Sequence, residues 1–196
     1  MTSSSLRDAR PARASAHAVG GFTLIELMVV VALIALLSLV AAPSMQKVFK
    51  SNRVQTEAAS FVGDLMLART EAVRRGQSVS ACVSSDGATC LGANTWQSGW
   101  ILFSDSAAAC AGPASPDVPI RVRKAFNGTD TMVASLASTS CVTFNREGFT
   151  NNLGTATVTF TLHTADNLQA ATRCVTVDLG GRLTIQTAGQ AATACS

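Results

Sequence analysis

The sequence predicts an α+β chain in which one long N-terminal helix precedes an antiparallel β domain. Its two halves differ sharply in pattern. From Phe22 to Ala42 the residues are apolar except for Thr23, Glu26 and Ser38, and from Ser44 to Arg75 apolar residues return at helical spacing. From Gln77 onward, short β-prone runs alternate with turn-rich pieces.

Residues 1–21 read as a leader without a fold of its own. Arg7, Arg10 and Arg13 stand there against Asp8, and basic residues flanking an apolar segment favour the cytoplasmic side of a membrane. The formal charge of the whole chain is +3. Loss of the leader removes three arginines and one aspartate and leaves +1. A nearly neutral remainder argues against a strong general binder of polyanions.

The apolar run that follows, 22–43, reads as a transmembrane helix. At about 1.5 Å per residue it is roughly 30 Å long, enough to cross a hydrocarbon core. A secretory signal has an apolar core of about 7–15 residues followed by its cleavage site. Here Gly20-Gly21 precedes the run, so a cut after Gly21 leaves the hydrophobic segment on the product. Glu26 is the one acid inside this segment. A carboxylate there is costly unless it reaches the interface or meets a positive charge. A new amino terminus at Phe22 supplies such a charge about one helical turn away, in the same chain or in a stacked neighbour.

Pro43 marks an expected bend, because proline removes a backbone donor and kinks a helix. The segment 44–76 continues as an amphipathic portion. Val54, Ala58, Phe61, Leu65, Ala68 and Ala72 form its apolar stripe, with Lys50, Arg53, Glu57, Asp64 and Glu71 largely off it. Gly76 after Arg74-Arg75 suits a helix C-terminus.

Residues 77–196 form the β-rich head. The expected strands are Val79–Val83, Trp100–Phe103, Ile120–Val122, Cys141–Phe144, Ala156–Leu162, Cys174–Asp178 and Leu183–Gln186. Thr157 to Leu162 alternates strictly and reads as half-buried, and the last two runs, joined by Leu179-Gly180-Gly181-Arg182, read as a hairpin. Trp96, Trp100 and Phe103 are large enough to anchor a core.

Cys82, Cys90, Cys110, Cys141, Cys174 and Cys195 all lie beyond the apolar segment. An even count confined to that portion points to disulfides in an oxidising compartment, and six cysteines allow 15 connectivities. Pairing Cys82–Cys90 and Cys174–Cys195 closes two local loops and leaves Cys110–Cys141, without fixing the choice. No Cys-x-x-Cys pair occurs and His17 and His163 stand apart, so neither a metal nor a cofactor is expected. No nucleophile elbow, His-Glu-x-x-His or phosphate-binding loop appears, and an enzyme is not expected.

The junction Gly21-Phe22-Thr23-Leu24-Ile25-Glu26-Leu27-Met28-Val29-Val30, with Pro43 beyond it, resembles the processing and methylation motif of type IV pilins and type II secretion pseudopilins. The resemblance implies that a prepilin peptidase cuts between Gly21 and Phe22 and N-methylates Phe22. It also implies that Glu26 neutralises the terminal amine of an adjacent subunit during assembly. Three further stretches, Ala68 to Gly76, Cys82 with Asp86-Gly87 and Cys90, and Trp96 to Asp105, resemble the GspH/FimT-type minor pseudopilins, as do Phe144 to Gly148 and Gly181-Arg182. That likeness implies a long helix packed on two small antiparallel sheets.

The implied role is a minor pilin or pseudopilin that helps start or tip a type IV pilus or a type II secretion pseudopilus. Its partners would be other pilins or pseudopilins, assembly-platform proteins and the inner membrane, with the head in the periplasm. A second reading is a DNA-uptake subunit, since some FimT-type members contact DNA through a Gly-Arg-x-Arg element. Here Gly181-Arg182-Leu183-Thr184 keeps only the first arginine. With Arg173 and Arg146 the cations are few, whereas phosphate contacts need several together.

Overall fold

A computed structural model describes residues 21–114, 118–154, 157–189 and 195, with the side chains of 39–43 outside that description. Its elements are α1 (Leu24–Arg75), β1 (Val79–Val83), β2 (Gly99–Ser104), β3 (Arg121–Lys124), β4 (Thr131–Ala134), β5 (Cys141–Phe144), β6 (Val158–His163), β7 (Arg173–Val177) and β8 (Leu183–Thr187). The chain divides into two compact units, Met1–Ala42 and Pro43–Ser196.

In the first unit, Gly21, Phe22 and Thr23 are irregular and α1 begins at Leu24. Every residue from Gly21 to Ser38 is exposed, Phe22 at 85 %. Apolar side chains at this exposure have no partner among the described residues of the unit to remove them from water. Among the described residues no helix is long and apolar enough to cross a membrane. The described apolar side chains stop before Leu39, and the sequence continues the run through Val40, Ala41 and Ala42. The leader before Gly21, and the side chain of Pro43 at the expected bend, lie outside the described residues.

In the second unit, the stripe Val54, Ala58, Phe61, Leu65, Ala68 and Ala72 is fully buried. It packs in one core with Val79, Ala81, Trp100 and Leu102 of one sheet and with Met132, Phe160, Leu162 and Val175 of the other. The first sheet has strand order β3-β2-β1-β5 and the second β4-β6-β7-β8, with antiparallel pairing throughout. The last pair is the expected hairpin, with Val175 opposite Ile185.

Strand β1 is buried at every position, although alternate residues face opposite sides of a sheet. The second side is covered too. Cys82, Ile101, Phe103 and Cys141 form a smaller cluster there, closed over by Cys90 and Cys110. Disulfides join Cys82 to Cys90, Cys110 to Cys141 and Cys174 to Cys195. The first two thus fasten loops over the outer face of the first sheet, where a small domain has no second helix to place.

The helix ends in a Schellman arrangement. Gly76 has φ of +66°, its N–H donates to Val73 O, and Gln77 N–H donates to Ala72 O. A left-handed residue is required there, and glycine adopts it without a Cβ penalty. Gly181, at φ +70°, has the carbonyl of Gly148 where a Cβ would stand. Arg69 ties the same two turns to the helix, donating to Gly148 O at 2.9 Å and Gly180 O at 3.1 Å.

Two departures from the expected pattern have physical causes. Strand β4 is absent from the expected set. It has only four residues, alternating exposed and buried, and its inward positions are Met132 and Ala134, which carry little β signal. Strand β3 falls at Arg121–Lys124 instead of Ile120–Val122. It is a sheet edge, and a basic edge strand discourages pairing with other chains.

Candidate functional site

The N-terminal junction is built from a helix start. Thr23 is the N-cap: its Oγ1 accepts from Glu26 N–H at 3.2 Å, and its carbonyl accepts the first helical bond from Leu27 N–H. Thr23 and Glu26 stand in capping-box spacing, so the acid occupies the third helical position, in the first turn where the dipole favours negative charge. This is a local reason for Glu26 in addition to the one expected from the apolar run. The Thr-x-x-Glu spacing was the available signal for it.

Gly21 is exposed in irregular chain, with nothing within 4 Å of where a Cβ would stand. Among the described residues nothing therefore stands against a side chain at position 21. Phe22 follows it, exposed, one residue before the cap. The junction is thus an accessible peptide bond between a small residue and a large apolar one, next to a capped helix with an acid in its first turn.

The head offers no comparable chemical constellation. Among the described residues no group of His, Cys, Asp and Glu is placed to hold a metal ion. Asp105 is buried and accepts from Ser80 Oγ at 2.7 Å and from Cys110 N–H at 2.9 Å. That is a satisfied structural carboxylate. Glu71 accepts from both Arg74 and Arg75, whose hydrogen bonds hold its carboxyl below the usual range.

The three arginines weighed for polyanion contact have different fates. Arg173 is buried on β7 and donates to Gln55 Oε1 at 2.6 Å, Ser51 Oγ at 3.0 Å and two carbonyls. It is a packing cation, which leaves still fewer cations for polyanion contact than the sequence offers. Arg146 pairs with Glu147 at 2.7 Å. Arg182 is exposed in the β7–β8 turn, where its own N–H donates to Asp178 Oδ1. Asp64 departs from the expected pattern. Expected off the stripe, it is buried, accepting from Trp100 Nε1 at 3.1 Å and from Arg123 at 2.9 and 3.0 Å.

A family profile described as Type II transport protein GspH matches residues 57–181, and one described as the prokaryotic N-terminal methylation motif matches residues 17–42. No curated protein matches the chain. Among solved structures, the type IV minor pilin FimU of Pseudomonas aeruginosa is similar in fold with a TM-score of 0.53 at 20 % identity, over 74 % of this chain and 96 % of that one. The minor pseudopilin EpsH of the Vibrio cholerae type 2 secretion system aligns with a TM-score of 0.50 at 14 % identity, over 70 % of this chain and 99 % of that one. With a helix packed on two antiparallel sheets, a methylation motif at its start and a family profile over most of its head, the chain belongs to the GspH family, as a GspH/FimT-type minor pseudopilin and a structural, non-enzymatic subunit.

Proposed function

We propose that this protein is a low-abundance subunit that inserts in the bacterial inner membrane through residues 22–43 and helps initiate or tip a type IV pilus or type II secretion pseudopilus. In this reading the leader is cytoplasmic and the head periplasmic. Prepilin peptidase cuts between Gly21 and Phe22 and methylates the new amine. Glu26 then neutralises that amine on an adjacent subunit, and Pro43 gives the helix its bend.

The observation that carries the reading is the exposed apolar first unit with one acid in its capped first turn. Apolar side chains so exposed need lipid or the helices of other subunits around them. An acid in that setting needs a cation, and the amine freed at Phe22 is the cation the processing step itself creates. DNA uptake is not the reading favoured, since Arg173 is buried and Arg146 is paired.

Glu26→Val is expected to leave processing intact while fibre assembly, read as sheared fibres or secreted cargo, falls at least about tenfold, the equivalent of roughly 1.4 kcal/mol or more of subunit association. Normal assembly of the Glu26→Val variant would exclude the role given to Glu26. Gly21→Ala is expected to retain the leader, visible as a larger band and an unmethylated N-terminus by mass spectrometry. A mature-sized product from that variant would move the cleavage point elsewhere.

A further inference from the structure

A cavity of about 440 Å³ opens beside α1 in the second unit, lined among others by Arg53, Glu57, Trp100, Arg123, Lys124 and Phe126. Its two arginines are already matched. Arg53 donates through Nε and Nη2 to both oxygens of Asp130, each at 2.6 Å. Arg123 does the same to Asp64. Bidentate pairing uses the guanidinium fork fully on one carboxylate and leaves little net charge for a visiting anion.

Glu57 lies on the same helix face, one turn after Arg53, and has no such match. Its Oε2 is buried without a hydrogen-bond partner. Burial, and then the charge of Asp130, push its carboxyl up to about 7, against the lowering effect of Arg53. Glu57 itself is half-buried, but a carboxylate oxygen kept from water without a donor is destabilising unless something supplies one. The walls beside it are aromatic: Trp100 and Phe126 meet edge to face at 6.0 Å.

We propose that this cavity is a socket for a lysine side chain of a neighbouring subunit, its ammonium paired with Glu57 and its aliphatic stem lying against Trp100 and Phe126. A compact ammonium suits a single buried oxygen better than the planar fork of arginine. The aromatic walls favour a cation on an apolar stem. That the lysine comes from a fibre neighbour rests on the assembly role above; that the socket takes an alkylammonium does not.

The charged groups that line the cavity with Glu57 are Arg53 on α1 and Arg123 and Lys124 on β3, and the charge of Asp130, before β4, also acts on Glu57. Both arginines are tied, Arg53 to Asp130 and Arg123 to Asp64, and Lys124 is exposed at the rim. Burial, and then the charge of Asp130, hold the Glu57 carboxyl protonated toward neutrality. Its ordinary value of 4.5 is raised to about 7. Ionisation thus costs stability progressively as pH rises from about 4.5 through about 7, and an ammonium bound beside it restores that loss.

The test uses the full chain in detergent micelles, labelled with 13C at glutamate carboxyls. The probe is Nα-acetyl-lysine-N-methylamide, with the norleucine analogue and inorganic phosphate as comparisons. At pH 8 the lysine probe is expected to shift the Glu57 carboxyl resonance saturably, and the norleucine analogue to leave it unmoved. Binding should weaken about tenfold or more at pH 5.5, where the acid is protonated and the probe is still charged. Glu57→Gln, with binding to both proteins followed through the Trp100 indole resonance, should weaken it as much, while raising Tm at pH 8 and leaving it unchanged at pH 4.

No saturable response to the lysine probe, equal binding by Glu57→Gln, or tighter binding of phosphate would each overturn the proposal. The titration reports the socket whether or not the chain assembles, so its failure is distinct from failure of the Glu26 experiment.

Discussion

Phe61→Ala is expected to cost about 3–5 kcal/mol of stability, the range for deleting a buried aromatic ring. Phe61 is fully buried on α1. Its ring meets Trp96 at 5.3 Å, Trp100 at 5.2 Å and Phe160 at 4.9 Å, all edge to face. Trp100 belongs to the first sheet and Phe160 to the second. One side chain thus joins the helix to both sheets, and its removal opens a void bordered by three rigid rings that cannot close over it. Against a total of about 5–15 kcal/mol, such a loss is a large share. Thermal unfolding of the full chain in detergent should show Tm falling by roughly 10 °C, with Phe61→Leu falling less. A shift under about 2 °C would mean that the aromatic cluster is not the centre of the core.

Asp64→Ala should be the second severe change, at about 2–4 kcal/mol by chemical denaturation. Asp64 is only 3 % exposed, and it serves two donors from the first sheet, the indole of Trp100 and the guanidinium of Arg123. Alanine leaves both without their acceptor. The indole is buried and bears the full loss, whereas the Arg123 side chain is 37 % exposed and recovers part of its solvation. The double variant Asp64→Ala/Arg123→Ala should therefore cost less than the sum of the two single changes. Strict additivity in that cycle would show that the pair is not coupled.

The features that could be read from sequence are those written in period and spacing. Val54 through Ala72 repeat at the helical period because each packs against the same core, and the structure buries all six. Strands β1 and β5 fall where β-prone residues are bounded by turn residues. The β7–β8 hairpin is legible because Gly180-Gly181 leaves little else for the chain to do there. The Gly21–Phe22 junction stands out because its residue types are unusual together, and it lies within the stretch that the methylation-motif profile matches.

What escapes such reading is long-range and polar. Nothing local distinguishes Asp64 from the half-buried Glu57 and Glu71 of the same helix; its fuller burial is decided by Arg123 and Trp100, which arrive from the first sheet. Nothing in the sequence ties Arg173 to a partner, yet Ser51 and Gln55 on α1 meet it. Glu57 reads as one more polar residue on an amphipathic helix until the cavity around it is formed. β4 escapes because four residues with alanine and methionine inward resemble a loop.

Arg173 is also one of a group. Within two turns of α1, Lys50 reaches Asp166 after β6, Arg53 reaches Asp130 before β4, and Ser51 and Gln55 receive Arg173 at the start of β7. Three strand ends of the second sheet are therefore fastened to the same short length of helix. A pull along α1 strains these contacts together, side by side, and none can be peeled away before its neighbours. The sheet is attached to its helix as by a row of rivets, an arrangement that suits a part through which tension is transmitted.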